Sequence, residues 1–267
     1  MNWFVYILIS WFFWFEIGNA YATPEGDAIR EARRATMRTS TRCEYIMKLK
    51  DPKLPSVIKS YTLSGNGFFI EHHTSQTNPH YAITATHAVS CPQELDGTFF
   101  GENFTINQVA SFEIKSRILV RYGKSIYTAT IVRSDFNKDP DLDLAILDVL
   151  ISNGNHGHVS ILTDENAYDL KDEVIIFGFM PRGVFRLKVA HIEDILKDEG
   201  LLQLNTAGYK GLSGSAVMLY RKGQYSAIGI LVKKFQIDDE GVLDYSLATM
   251  IKKEYINSLF LDDHKKP

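Results

Sequence analysis

From Cys43 onward the chain is cut into short runs of β-branched and aromatic residues, separated by stretches that carry turn-forming Gly, Pro, Asn, Asp or Ser. Runs this short do not bury a helix face, so they read as strands. A first series comprises Tyr45-Ile46-Met47, Gly67-Phe68-Phe69-Ile70, Tyr81-Ala82-Ile83-Thr84, Ile118-Leu119-Val120, Ile126–Val132 and Leu144-Ala145-Ile146-Leu147. A second comprises Glu173–Phe177, Val184–Leu187, Leu201–Leu204, Ala216–Leu219 and Ala227–Val232. Many short strands at modest spacing fit a sandwich or barrels. The Asn-, Gly-, His- and Ser-rich stretch 152–165 reads as the connection between the two series.

The two ends differ from this middle. Phe4 to Phe15 is almost wholly apolar, Glu16 stops the run, and Ala20-Tyr21-Ala22 offers small-x-small. That layout predicts a secretory signal over 1–22, the alternative being an uncleaved membrane anchor, for which the run falls short of the ~20 apolar residues of a spanning helix. The expected protein is secreted or periplasmic, with no stable membrane anchor once the signal is removed. Residues 23–42 carry Arg30, Arg33, Arg34 and Arg38 between small apolar residues, with Pro24 placed to start a helix; they predict a short, basic surface helix. The amphipathic segment 247–261 predicts a C-terminal helix.

Composition excludes several classes. With 45% hydrophobic and 23% charged residues the chain is an ordinary globular one, unlike a disordered segment. A net charge of -3 lacks the basic footprint of a nucleic-acid binder. The two cysteines, Cys43 and Cys91, are too few for a zinc site; they form either one disulfide or two buried thiols. His156 and His158 have ligand-like spacing but lie in the connection, and no metal or other cofactor is expected. Asn103-Phe104-Thr105 is a formal glycosylation acceptor only.

Three segments stand out together. Ile83-Thr84-Ala85-Thr86-His87-Ala88-Val89 delivers a histidine at the end of a strand. Asp141-Leu142-Asp143-Leu144-Ala145-Ile146-Leu147 places an acid just before one. Gly211-Leu212-Ser213-Gly214-Ser215-Ala216-Val217 sets a serine between glycines before another. Each alone is an ordinary turn or strand end. In the order His, Asp, Ser they meet the needs of nucleophilic catalysis: a serine hydroxyl is weak at neutral pH and requires an adjacent base, itself oriented by an acid.

These blocks resemble the signatures of the trypsin-like, chymotrypsin-fold serine proteases of bacterial type. Gly-x-Ser-Gly-Ser is similar to glutamyl endopeptidases and their relatives. Ser64–Ile70 resembles the strand before the histidine segment, and Gly229-Ile230 the strand lining the cleft. The resemblance covers roughly 44–252. It implies an all-β fold of two six-stranded antiparallel barrels, flanked here by the N-terminal and C-terminal helices. The peptidase domain would span 43–267, with barrel 1 at about 43–150 and barrel 2 at about 160–246.

The resemblance also assigns roles. His87 is the base, Asp143 its orienting acid and Ser213 the nucleophile, with the Gly211 and Ser213 N–H groups as the oxyanion hole. Asp141 is a rival for the acid; Asp143 is preferred because it directly precedes the apolar strand. The position at the base of the primary specificity pocket is Ala207, with Gly208, Lys210, Ile230, Leu231 and Val232 as further substrate-binding residues. Ala207 supplies no acid for a substrate Lys or Arg, and Gly208 and Leu231 stand where glutamyl endopeptidases carry Thr and His. An uncharged, medium-sized apolar side chain is expected, unless Lys210 and Lys233 on the rim draw an acidic one. Leu212 stands where zymogen-type trypsins carry an Asp, so activation by an inserted amine is not expected. The expected partner is a polypeptide substrate, hydrolysed through an acyl-enzyme. The alternative is a catalytically silent relative that binds polypeptides; such relatives commonly lose a triad member or the oxyanion glycine, and here all are present.

Overall fold

The structure, a computed structural model, describes residues 24–71, 80–92, 109–134, 142–151, 157–206, 211–235 and 245–262. Strands β1 (Thr36–Leu49), β2 (Val57–Phe69), β3 (His80–Thr84), β4 (Val109–Tyr122), β5 (Ser125–Ser134) and β6 (Ala145–Val149) form a closed barrel in the order β1-β2-β3-β6-β5-β4. The second sheet runs β11 (Ala216–Arg221), β8 (Glu173–Phe179), β9 (Phe185–Leu196), β10 (Leu201–Leu204), β13 (Tyr245–Met250), β12 (Gln224–Phe235), β7 (Ser160–Ile161). Antiparallel pairing of β11 with β12 closes six of these strands into a second barrel, and β7 adds in parallel to β12.

The continuous apolar runs explain how the barrels meet. Alternate residues of a strand face opposite sides. Ala82, Ala145 and Leu147 point into barrel 1, with Met37, Phe69 and Val120. Val174, Ile176, Val217 and Leu219 fill barrel 2, with Ile192, Leu202 and Leu204. Their neighbours in sequence point the other way: Phe68, Ile83 and Ile146 from barrel 1 meet Ile175, Phe177, Ala216 and Met218 from barrel 2 in one shared cluster. Phe68 and Phe177 are completely buried there, each worth about 1.5–3 kcal/mol relative to exposure. Strands apolar on both faces are thus the strands at the junction.

Helix α1 (Pro24–Ala35) docks on the same cluster through Ala32 and Ala35, with Ala28 and Ile29 alongside. Its arginines lie outside, and the Arg33 guanidinium sits 5.0 Å from the centre of the Phe185 ring. The basic helix expected over 23–42 ends at Ala35, and β1 begins at Thr36. Thr36, Thr39 and Thr41 are buried β-branched residues on that strand, which favours extension over helix. Barrel 1 therefore starts before Cys43. The C-terminal helix, α2 (Lys253–Asp262), starts later than expected, because Tyr245–Met250 supplies the strand that joins β10 to β12. Among the described residues no helix is long and apolar enough to cross a membrane. The signal expected over 1–22 lies outside them.

Cys43 and Cys91 are joined in a disulfide, their Cα atoms 5.8 Å apart. Beside it the Tyr45 hydroxyl donates to the Pro92 carbonyl at 2.7 Å and meets the Tyr61 hydroxyl at 3.0 Å. Burial, then Tyr61, pushes the Tyr45 hydroxyl far above its ordinary range, so it remains a donor. The segment just after the histidine is therefore held to β1 covalently and by hydrogen bonding.

Candidate active site

β3 and β6 are antiparallel partners that pair Thr84 with Ala145. The chain leaving β3 and the chain entering β6 therefore lie at one end of barrel 1. His87 occupies a single 3₁₀ turn, Thr86–Ala88, just past β3, and Asp143 sits just before β6. Asp143 Oδ1 accepts the His87 backbone N–H at 2.9 Å, and Oδ2 meets the ring Nδ1. The Thr86 Oγ1 is 3.1 Å from Ser134 Oγ. Asp143 is 8% exposed, whereas the His87 side chain is 42% exposed. A carboxylate only accepts, so Nδ1 carries the proton and Nε2 is left as the basic nitrogen. Asp143 is the acid engaged with the histidine; its rival Asp141 lies outside the described residues.

Ser213 belongs to the loop 211–215 that leads into β11. The Gly214 N–H donates to the Leu231 carbonyl at 2.8 Å, the Leu231 N–H to the Ser215 carbonyl at 2.9 Å, and the Ser215 N–H to the Leu212 carbonyl at 2.9 Å. This ties the loop to β12. On its other side the Ser213 carbonyl accepts the Asn66 N–H at 2.7 Å. Gly214 has φ +81°, and a Cβ on it would overlap the Asn66 carbonyl oxygen and lie 3.0 Å from the Ala85 nitrogen. Gly65 fills the gap between the histidine and serine segments: a Cβ there would lie 2.7 Å from Ala88 Cβ and 2.8 Å from the Ser213 oxygen. The serine loop thus rests directly on the histidine segment. Gly211, at φ +95°, occupies backbone space that only glycine enters cheaply.

The remaining expected residues fall as follows. Ala207, Gly208 and Lys210 lie outside the described residues, as does the side chain of Lys233. Ile230, Leu231 and Val232 are 0%, 3% and 8% exposed on β12, and Leu231 lends its backbone to the serine loop. Leu212 is buried in barrel 2, so an apolar contact stands at the place of the zymogen-type acid. Among the described residues no group of three His, Cys, Asp or Glu side chains could hold a metal; His156 is outside them. Sequence reasoning assigned nothing to Asn66 or Gly65. The available signal was Asn66 itself, a polar residue inside the run Gly65-Asn66-Gly67-Phe68-Phe69, because buried polar groups in a strand need partners.

A family model described as a trypsin-like peptidase domain matches residues 65–230. Comparison with curated proteins returns no match. Among solved structures, a variant of the HtrA-type protease AlgW with a decapeptide is 16% identical, with TM-score 0.57 over 90% of this chain and 67% of that one. An inactive form of Rv3671c from M. tuberculosis H37Rv is 17% identical, with TM-score 0.51 over 90% and 92%. A serine endoprotease from Yersinia pestis is 17% identical, with TM-score 0.51 over 88% and 64%. These likenesses show the fold. The expected nearness to glutamyl endopeptidases is not carried by them. By its family match the chain belongs to the trypsin-like peptidases, as a serine-type endopeptidase of the hydrolase class.

Proposed function

We propose that the protein hydrolyses peptide bonds through an acyl-enzyme on Ser213, with His87 as general base and acid and Asp143 as its orienting partner. The observation that carries this reading is the double engagement of His87 by Asp143, through the backbone N–H and through Nδ1. The Ser213 hydroxyl gives its proton to His87 Nε2 as Oγ bonds the scissile carbonyl carbon. The carbon–nitrogen bond then breaks and the proton passes to the departing amine. Water repeats the sequence in reverse and frees the serine. Asp143 stays ionised, fixing the tautomer and stabilising the imidazolium. Gly211 and Ser213 donate their N–H groups to the oxyanion, each such donor being worth about 2.7–4 kcal/mol of barrier.

The disulfide supports action outside the cytoplasm, where such bonds persist, after removal of residues 1–22. Ala207 at the pocket base favours an uncharged side chain over Lys or Arg, since an unpaired buried charge costs several kcal/mol. Hydrolysis of unfolded casein tests the reading. Wild-type protein should cleave it, and Ser213→Ala and His87→Ala should not; cleavage by Ser213→Ala at the wild-type rate would remove Ser213 from the reaction.

A further inference from the structure

Strand β2 alternates between half-buried and exposed residues up to Ser64, then is buried on both faces from Gly65 onward. Asn66 lies where it passes between the barrels and is completely buried. Its backbone N–H donates to the Ser213 carbonyl at 2.7 Å, and its carbonyl accepts from Thr84 Oγ1 at 2.5 Å. Its carboxamide reaches across to barrel 2. Nδ2 donates to the Gly211 carbonyl at 2.7 Å and to the Phe179 carbonyl at 3.1 Å, while Oδ1 accepts the Phe179 N–H at 2.7 Å.

A primary amide offers two N–H donors and one oxygen, and all are used on the backbone of two distant segments. No other side chain of this length does the same. Serine is shorter and carries one donor, and aspartate carries none and would set a negative charge against two carbonyl oxygens. The partner that matters most is Gly211. A glycine at positive φ is the backbone position with the most alternative conformations, so a loop that depends on it needs an external tether to hold one of them.

We propose that Asn66 is a positioning residue for acyl transfer. By holding the Gly211 carbonyl it fixes the plane of the Gly211–Leu212 peptide. With the Ser213 carbonyl held by its own N–H, it keeps the Gly211 and Ser213 donors aimed at the developing oxyanion. This assignment rests on Ser213 being the nucleophile and on those two N–H groups serving the oxyanion. Removing an oxyanion donor outright costs about 10²–10³-fold in kcat; misaiming one through its tether should cost about 10–100-fold, a fraction of that. Because the defect lies in the transition state, KM should hardly move.

The test compares wild type, the near-isosteric Asn66→Asp and the milder Asn66→Ser. Active sites are counted by fluorophosphonate titration so that only folded, reactive molecules enter kcat. Each protein is then measured for kcat and KM on one peptide substrate, for affinity to a peptide boronic acid, whose serine adduct places an anionic oxygen at the oxyanion site, and for affinity to the corresponding product peptide. Asn66→Asp should lose kcat and boronate affinity by the same factor, with KM and product affinity within about threefold; Asn66→Ser should lose less of both. If Asn66→Asp does not fold, Asn66→Ser alone carries the comparison. Wild-type kcat and boronate affinity in the folded variant overturn the assignment. So does an equal loss of boronate and product affinity, which marks a general distortion. Wild-type protein that neither labels nor binds the boronate overturns the nucleophile assignment, and this one with it.

Discussion

The Asp143 carboxylate holds His87 at two points, the backbone N–H at 2.9 Å and the ring Nδ1. An amide in its place keeps the shape and turns one acceptor into a donor. The amide oxygen of the Asp143→Asn variant can still take the His87 backbone N–H, but its NH₂ then faces Nδ1 and selects the tautomer with the proton on Nε2. Asp143→Asn should therefore lower kcat by about 10⁴-fold at neutral pH with little change in thermal stability. Steady-state kinetics with a thermal melt checks this; a loss under about tenfold would assign the orienting role elsewhere, with Asp141 the first alternative.

The Cys43–Cys91 bridge joins residues 48 apart in sequence and encloses β2, β3 and His87. Loop-closure entropy puts its effect on the unfolded chain at about 4 kcal/mol. The double variant Cys43→Ser, Cys91→Ser should lose about 2–4 kcal/mol of stability and unfold at lower denaturant. Equilibrium unfolding measures it, and a midpoint equal to wild type would contradict a structural role for the bridge.

Gly214 has no room for a side chain: its φ is +81° and the Cβ position collides with the Asn66 carbonyl. Gly214→Ala must move backbone, not a flexible side chain. Positive φ alone costs about 1–3 kcal/mol for a non-glycine residue. The melting temperature should fall and Ser213 labelling should slow sharply. A variant that melts and labels like wild type would show that the serine loop does not rest on β2 as described.

The fold was legible where burial is two-sided. Ala145-Ile146-Leu147 and Val174-Ile175-Ile176-Phe177 read as strands because they are continuously apolar, and they are the strands at the barrel junction. The boundary at Thr36 was not legible: the arginines continue past α1 to Arg38 and Arg42 with no Gly or Pro between helix and strand, and pairing with β2 and β4 sets where the strand begins. Leu247 likewise reads as the apolar face of a helix until β10 and β12 claim its backbone. In the site, His87 and Asp143 were singled out by the resemblance of their blocks to family signatures, each standing at one end of an apolar run. Asn66 was not, since its partners are backbone groups of Phe179 and Gly211 that lie far along the chain. No local pattern records such a contact.

His80, at the start of β3, is held below the usual histidine value of 6.5, first by burial and then by the neighbouring His158, with Asp148 and a hydrogen bond to the Ile151 backbone opposing. The folded state therefore resists a proton that the unfolded chain accepts. Above about pH 6.5 both are neutral and stability is unaffected; as pH falls below that value the unfolded state gains and stability drops. Urea midpoints at about pH 7.5 and 5.0 should differ more for wild type than for His80→Gln. An equal or larger drop in the variant would contradict this.

The most direct measurement is the site of covalent capture. Wild-type protein is treated with a fluorophosphonate at neutral pH, and the adduct is located by peptide mass mapping. A single adduct on Ser213, absent from Ser213→Ala and slowed by orders of magnitude in folded His87→Ala, is the predicted result, since only an activated serine attacks the reagent. Wild-type protein that remains unmodified, or that carries the adduct on another residue, would contradict the assignment of His87, Asp143 and Ser213 as the catalytic triad.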